Sequence, residues 1–87
     1  MTSEKTKKVK QILHNPDKEF VMDILSKINL SVREKIIIES TELDRITISE
    51  MADKMYLSPD SVSTIKKSAM NKIYTYFLQK NYIKNAK

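Results

Sequence analysis

The chain has 87 residues, 40% hydrophobic and 31% charged, enough for one small folded domain spanning 1–87 and too few for a second core. It has no cysteine, no glycine and one histidine, which excludes a disulfide framework, a thiolate or histidine-rich metal site and any glycine-rich phosphate cradle. No apolar run approaches the roughly 20 residues that cross a bilayer, and the lysine-rich start lacks the apolar stretch of a signal peptide. The expectation is a cytoplasmic protein away from the membrane, with no cofactor, no metal and no enzymatic activity.

Caps announce the elements. Val9, Ile12 and Leu13 suggest a short helix in the basic N-terminal segment 1–14. Asn15-Pro16-Asp17 supplies an N-cap, a proline for the first helical position and an acid for the first turn. This predicts a helix over 16–28 with Phe20, Val21, Ile24, Leu25 and Ile28 along its apolar stripe. Ser31-Val32-Arg33-Glu34 is a capping box, and it predicts a helix that holds Ile36, Ile37 and Leu43 and ends near Asp44. A second box, Thr47-Ile48-Ser49-Glu50, opens a helix to Met55 with Ile48, Met51, Ala52 and Met55 facing inward. Ser58-Pro59-Asp60 then starts a long helix over 59–79, with Val62, Ile65, Ala69, Ile73 and Tyr76 or Phe77 facing a core. With no strand signal, the fold class is all-α, four or five helices around one core.

Charge is segregated along the chain. Residues 1–14 carry four lysines and one acid, residues 15–60 carry six basic and ten acidic side chains, and residues 61–87 carry six lysines and no acid. An acid-free basic third is the electrostatic footprint expected of a polyanion-binding surface, and equally of a solvated lysine face.

The helices at 48–55 and 59–79, joined by three residues, have the dimensions of a helix-turn-helix. Its steric rules ask for apolar residues where Met51, Met55, Leu57, Val62 and Ile65 stand, and for a small one at Ala52, where the helices cross. The first turn position favours a left-handed backbone and glycine; Tyr56 stands there, which predicts a different turn geometry.

The segment 30–73 resembles region 4 of the sigma-70 factors and the small regulators sharing that domain. The likeness runs through Leu30-Ser31, Arg33-Glu34, Ile37, Leu43, Ile48, Glu50-Met51-Ala52, Leu57-Ser58, Val62-Ser63, Ile65-Lys66-Lys67, Ala69-Met70 and Lys72-Ile73. The LuxR-type response-regulator output domain is similar in form, but the run Ile65–Met70 favours the sigma-like family. The resemblance implies double-stranded DNA binding, with the helix from Pro59 in the major groove and Asp60, Ser63, Thr64 and Lys67 facing the bases. Housekeeping sigma factors carry long arginine, glutamate and glutamine readers where this chain has Pro59, Asp60 and Thr64. The likeness is therefore to stand-alone transcription regulators of phages and mobile elements, not to a complete sigma factor.

Within that reading Lys66, Lys67 and Lys72 are candidate phosphate contacts along the helix, and Arg45 and Lys54 on the flanking backbone. Ser63 and Thr64 suit a base edge or thymine methyl, and Asp60 suits a cytosine amino group or, alternatively, the dipole of its own helix. Tyr74, Tyr76, Phe77, Leu78, Tyr82 and Ile83, in the C-terminal stretch 74–87, either cover the helix at 20–28 or form a homodimer surface. Lys80, Lys84 and Lys87 read as a solvated tail, and His14 as a local hydrogen-bonding residue. The alternative functions are a protein adaptor that grips RNA polymerase or another regulator, and a phage DNA-packaging subunit.

Overall fold

The structure, a computed structural model, describes residues 4–82; the first three residues of the basic N-terminal segment and the tail residues Ile83, Lys84 and Lys87 lie outside it. Five α-helices follow one another with no strand among the described residues: α1 (Glu4–Leu13), α2 (Lys18–Lys27), α3 (Val32–Ile38), α4 (Ile48–Met55) and α5 (Pro59–Gln79).

Both capping boxes form. Ser31 Oγ accepts from the Glu34 amide and Thr47 Oγ1 from the Glu50 amide, while each glutamate accepts from its cap residue's own amide. Ser58 caps α5 by accepting from the Ser61 amide at 3.1 Å, with Pro59 at the first helical position. α2 starts later than predicted. Asn15 Oδ1 accepts from the Asp17 amide at 2.8 Å, a local turn that leaves Pro16 ahead of the helix, and Asp17 is the cap, accepting from the Phe20 amide at 3.2 Å. Phe20, placed in the apolar stripe by the sequence, stands at 40% exposure, whereas Val21, Ile24, Leu25 and Ile28 are buried.

The helix begun at Val32 reaches Leu43 as expected, but its last turn, Glu39–Leu43, is a π turn, closed by the Asp44 amide bonding to the Glu39 carbonyl. The buried Thr41 hydroxyl donates to the Ile37 carbonyl at 2.7 Å. A side chain inserted into the backbone ladder in this way favours the wider turn. Of the helix's apolar residues Ile37 and Ile38 are fully buried, whereas Ile36 is exposed.

The apolar interior has two parts rather than one. Ile37, Met51, Ala52 and Val62 form the first, flanked by Ile46, Ile48, Met55, Leu57 and Ile65. All six residues that satisfied the helix-turn-helix spacing lie in or against it. The second joins Val9 and Leu13 of α1, Val21, Ile24 and Leu25 of α2, Ile28, Ile38, and Ala69, Met70, Ile73 and Phe77 of α5. Adjacent residues of α3, Ile37 and Ile38, serve the two parts separately, and α5 runs through both. Ala52 sits in the first part almost without exposure. Ala52→Leu is expected to force α4 and α5 apart at a cost of about 1–3 kcal/mol, read as a lower urea midpoint.

The C-terminal aromatics cover the part of the core that α2 shares. Phe77 is fully buried, and Tyr74, Tyr76 and Leu78 pack against the core that holds α2. Tyr82 remains 47% exposed. Asn81 ends α5 in a left-handed conformation (φ 62°), with the Tyr82 amide bonded to the Phe77 carbonyl at 2.9 Å and the two rings edge-on at 5.6 Å. This is a Schellman cap with its apolar contact.

The turn between α4 and α5 corrects a prediction. Tyr56 does adopt the left-handed conformation (φ 57°, ψ 41°), despite its bulk. The Leu57 amide bonds to the Ala52 carbonyl at 2.9 Å and the Tyr56 amide reaches toward that of Asp53 at 3.4 Å, the Schellman pattern again. These bonds and the burial around Leu57 impose a backbone that costs a non-glycine residue about 1–2 kcal/mol.

Candidate nucleic-acid interface

α5 positions the candidate face. At 3.6 residues per turn, Asp60, Ser63, Thr64, Lys67, Asn71 and Thr75 fall along one stripe, and all are exposed. The stripe is about 22 Å long at 1.5 Å per residue. Lys67 and Ser63 have no side-chain partner among the described residues, whereas the Thr64 hydroxyl donates to the Asp60 carbonyl at 2.9 Å. Thr64 therefore presents its methyl group and oxygen lone pairs outward. Asp60 lies in the first turn of α5, where its charge also suits the helix dipole.

Along one flank of α5 runs a shallow groove in two adjoining sections of about 390 and 340 Å³. The first is lined by Arg33, Leu57, Asp60, Ser61, Thr64 and Ile65, and the second by Ser31, Arg33, Glu34, Thr64, Ile65, Ser68 and Lys72. Arg33, in the first turn of α3, is common to both. It is exposed and pairs with no carboxylate among the described residues. Reading the motif as a capping box directs attention to Ser31 and Glu34 and passes over the arginine between them; its position across from Thr64 is a tertiary fact.

The lysines of α5 divide. Lys66 is turned inward, 17% exposed, with Nζ 2.7 Å from Oε2 of Glu42, itself 4% exposed. The His14 ring nitrogen Nε2 lies 2.8 Å from the other oxygen of Glu42, so the histidine makes a long-range contact and not the local one expected. Lys72 donates to Glu34 Oε1 at 2.8 Å, and Ser68 donates to Oε2 at 2.9 Å. Lys66 and Ser68 project about 200° apart around the helix. Glu34 and Glu42, both from the helix begun at Val32, thus grip α5 from opposite sides. Lys66 and Lys72 serve that grip, which removes Lys66 from the solvent-facing cations and leaves Lys72 half-exposed at the groove.

The two carboxylates respond alike. Burial alone would push Glu34 up, but hydrogen bonds from Lys72, the Ser31 amide and Ser68 outweigh it and lower the carboxyl to about 2. Burial likewise pushes Glu42 up, and bonds from Lys66 and His14 with the nearby charges of Lys66 and Lys10 carry it below the ordinary value.

No family model, curated protein or solved structure matches this chain. Arg45 is exposed in a left-handed turn (φ 60°) just after the π turn, and Lys54 is exposed in the last turn of α4. Neither lines the groove along α5. No group of three or more acidic, histidine or cysteine side chains among the described residues is arranged to hold a metal, and no described helix is long and apolar enough to cross a membrane.

Proposed function

We propose that the protein is a DNA-binding transcription regulator of the sigma region 4-like kind, in which α4 and α5 form a helix-turn-helix and α5 enters the major groove. One observation carries the reading. The stripe of α5 from Asp60 through Lys67 to Thr75 is exposed and lies beside an unpaired arginine, after a three-residue turn whose first residue is left-handed. Lys67 and Arg33 hold the phosphates, with Arg45 and Lys54 as outlying contacts; Ser63, Thr64 and Asp60 read base edges. Lys66 is reassigned from phosphate contact to the internal grip on α5.

Selecting bound duplexes from a random DNA library at near-physiological salt tests the proposal. A sharp enriched motif is expected; enrichment without a motif overturns the sequence-reading role. On the selected duplex, Lys67→Ala and Arg33→Ala are each expected to lower the slope of log affinity against log salt by about 1. An unchanged slope removes that residue from the phosphate set.

The adaptor reading draws on a separate feature. Val32 and Ile36, one helical turn apart on α3, are both exposed apolar side chains. Co-purification with RNA polymerase from a DNA-free extract, lost in Val32→Ser/Ile36→Ser, is its expected result.

A further inference from the structure

Among the described residues, Arg45, Tyr56 and Asn81 hold a left-handed backbone without being glycine. Asn81 is a residue type that tolerates this region, and its turn is sealed by Tyr82 on Phe77. Arg45 brings a cation to the surface. Tyr56 has neither explanation, because its side chain is 95% exposed and makes no ring contact or hydrogen bond among the described residues. A tyrosine ordinarily buries most of its ring and finds a partner for its hydroxyl. Here the backbone is strained, and the side chain returns nothing to the fold. Strain that the rest of the structure over-determines, at an otherwise unoccupied residue, points to a partner outside the chain.

The position identifies the partner's chemistry. Tyr56 immediately precedes Leu57, which lines the groove shared by Arg33, Asp60 and Thr64. It also follows α4 directly, two residues after the exposed Lys54. Because Leu57 is drawn against the core while Tyr56 is left-handed, the phenol projects outward from the tip of the turn that feeds α5. A phenol is a neutral hydrogen-bond donor of the kind that contacts phosphate oxygens. We propose that Tyr56 is a backbone contact of the DNA complex: its hydroxyl donates to a phosphate on the strand beside the groove that α5 enters. The inference rests on the DNA-binding reading above and adds a contact that charge counting cannot show.

The experiment compares wild type, Tyr56→Asn, Tyr56→Gly and Tyr56→Phe for affinity to the selected duplex and to a scrambled duplex of equal length, with urea unfolding measured on each. Asparagine keeps a Cβ and tolerates the left-handed turn, so it separates loss of the phenol from a loosened turn. Tyr56→Asn and Tyr56→Gly are expected to unfold at higher urea than wild type and yet to bind both duplexes about tenfold more weakly. Tyr56→Phe is expected to lose affinity with them while keeping wild-type stability. Wild-type affinity in Tyr56→Phe, or a loss confined to the selected duplex, overturns the phosphate role. Failure of wild type itself to bind either duplex overturns the underlying reading and the contact together, and is distinguishable from the first outcome.

Discussion

Glu42→Ala is expected to destabilise the domain by about 3–5 kcal/mol. The carboxylate is almost wholly buried, 2.7 Å from Lys66 Nζ and 2.8 Å from His14 Nε2. Removing it leaves the mostly buried ammonium of Lys66 with no counter-charge, which costs far more than the pair itself contributes, because the desolvation of the cation is no longer offset. A domain of this length has only about 5–10 kcal/mol of total stability, so the variant loses a large fraction of it. Urea titration followed by helical circular dichroism measures the loss. Glu42→Leu combined with Lys66→Met is expected to recover most of it, since an apolar pair of similar volume needs no compensation. A single variant within about 0.5 kcal/mol of wild type contradicts the buried pair. The same reasoning changes how DNA binding is tested. Neutralising Lys66, Lys67 and Lys72 together mixes lost affinity with lost folding, whereas Lys67 and Arg33 can be altered without breaking any carboxylate contact in the structure.

What was legible in the sequence was local. The two capping boxes and the Ser58-Pro59 device mark the starts of α3, α4 and α5 because each is a short-range exchange of hydrogen bonds between neighbours. The end of α2 nearest Pro16 was misread for a similar reason: Asn15 and Asp17 are both competent caps, and only the Asx turn between them decides which one starts the helix. Glu34 and Glu42 were the larger omission. Their partners Lys72 and Lys66 are 38 and 24 positions away, so no periodicity within one helix reveals them. A signal was nevertheless present. The last third of the chain has lysines and no acid, so any lysine turned inward there must borrow a carboxylate from the acidic middle. Part of the charge segregation that resembles a polyanion footprint is therefore the molecule's own complementarity. On the candidate face the exposed unpaired cations are Lys67 and Arg33, a narrower basis for nucleic-acid recognition than the raw count implies. Tyr56 argued for a different turn geometry, but the packing of Leu57 against the core and the bonds back to α4 outweigh one residue's preference.

Because both carboxylates that hold α5 are lowered in the folded chain, acid is expected to weaken both grips. Glu34 titrates from an ordinary 4.5 in the unfolded chain to about 2 in the folded one, and Glu42 shifts in the same direction. Between those values the unfolded chain binds the proton and the folded chain does not, so falling pH favours unfolding. The contribution is complete above about pH 4.5 and is lost as pH drops toward about 2. For Glu34 it amounts to about 1–2 kcal/mol once solvent screening at the half-exposed Lys72 is allowed for. Urea titrations from about pH 6 to about pH 2.5 are expected to show a flat region followed by a steep decline. Lys72→Met should flatten that decline by removing the hydrogen bond that does most to offset burial of Glu34. A decline equally steep in Lys72→Met would place the acid sensitivity in other carboxylates. Lys67→Met is the matching control: its ammonium touches no carboxylate, so its acid profile should follow wild type while its DNA affinity falls. The two lysines lie one and a half turns apart on the same helix, one serving its orientation and the other its outer face.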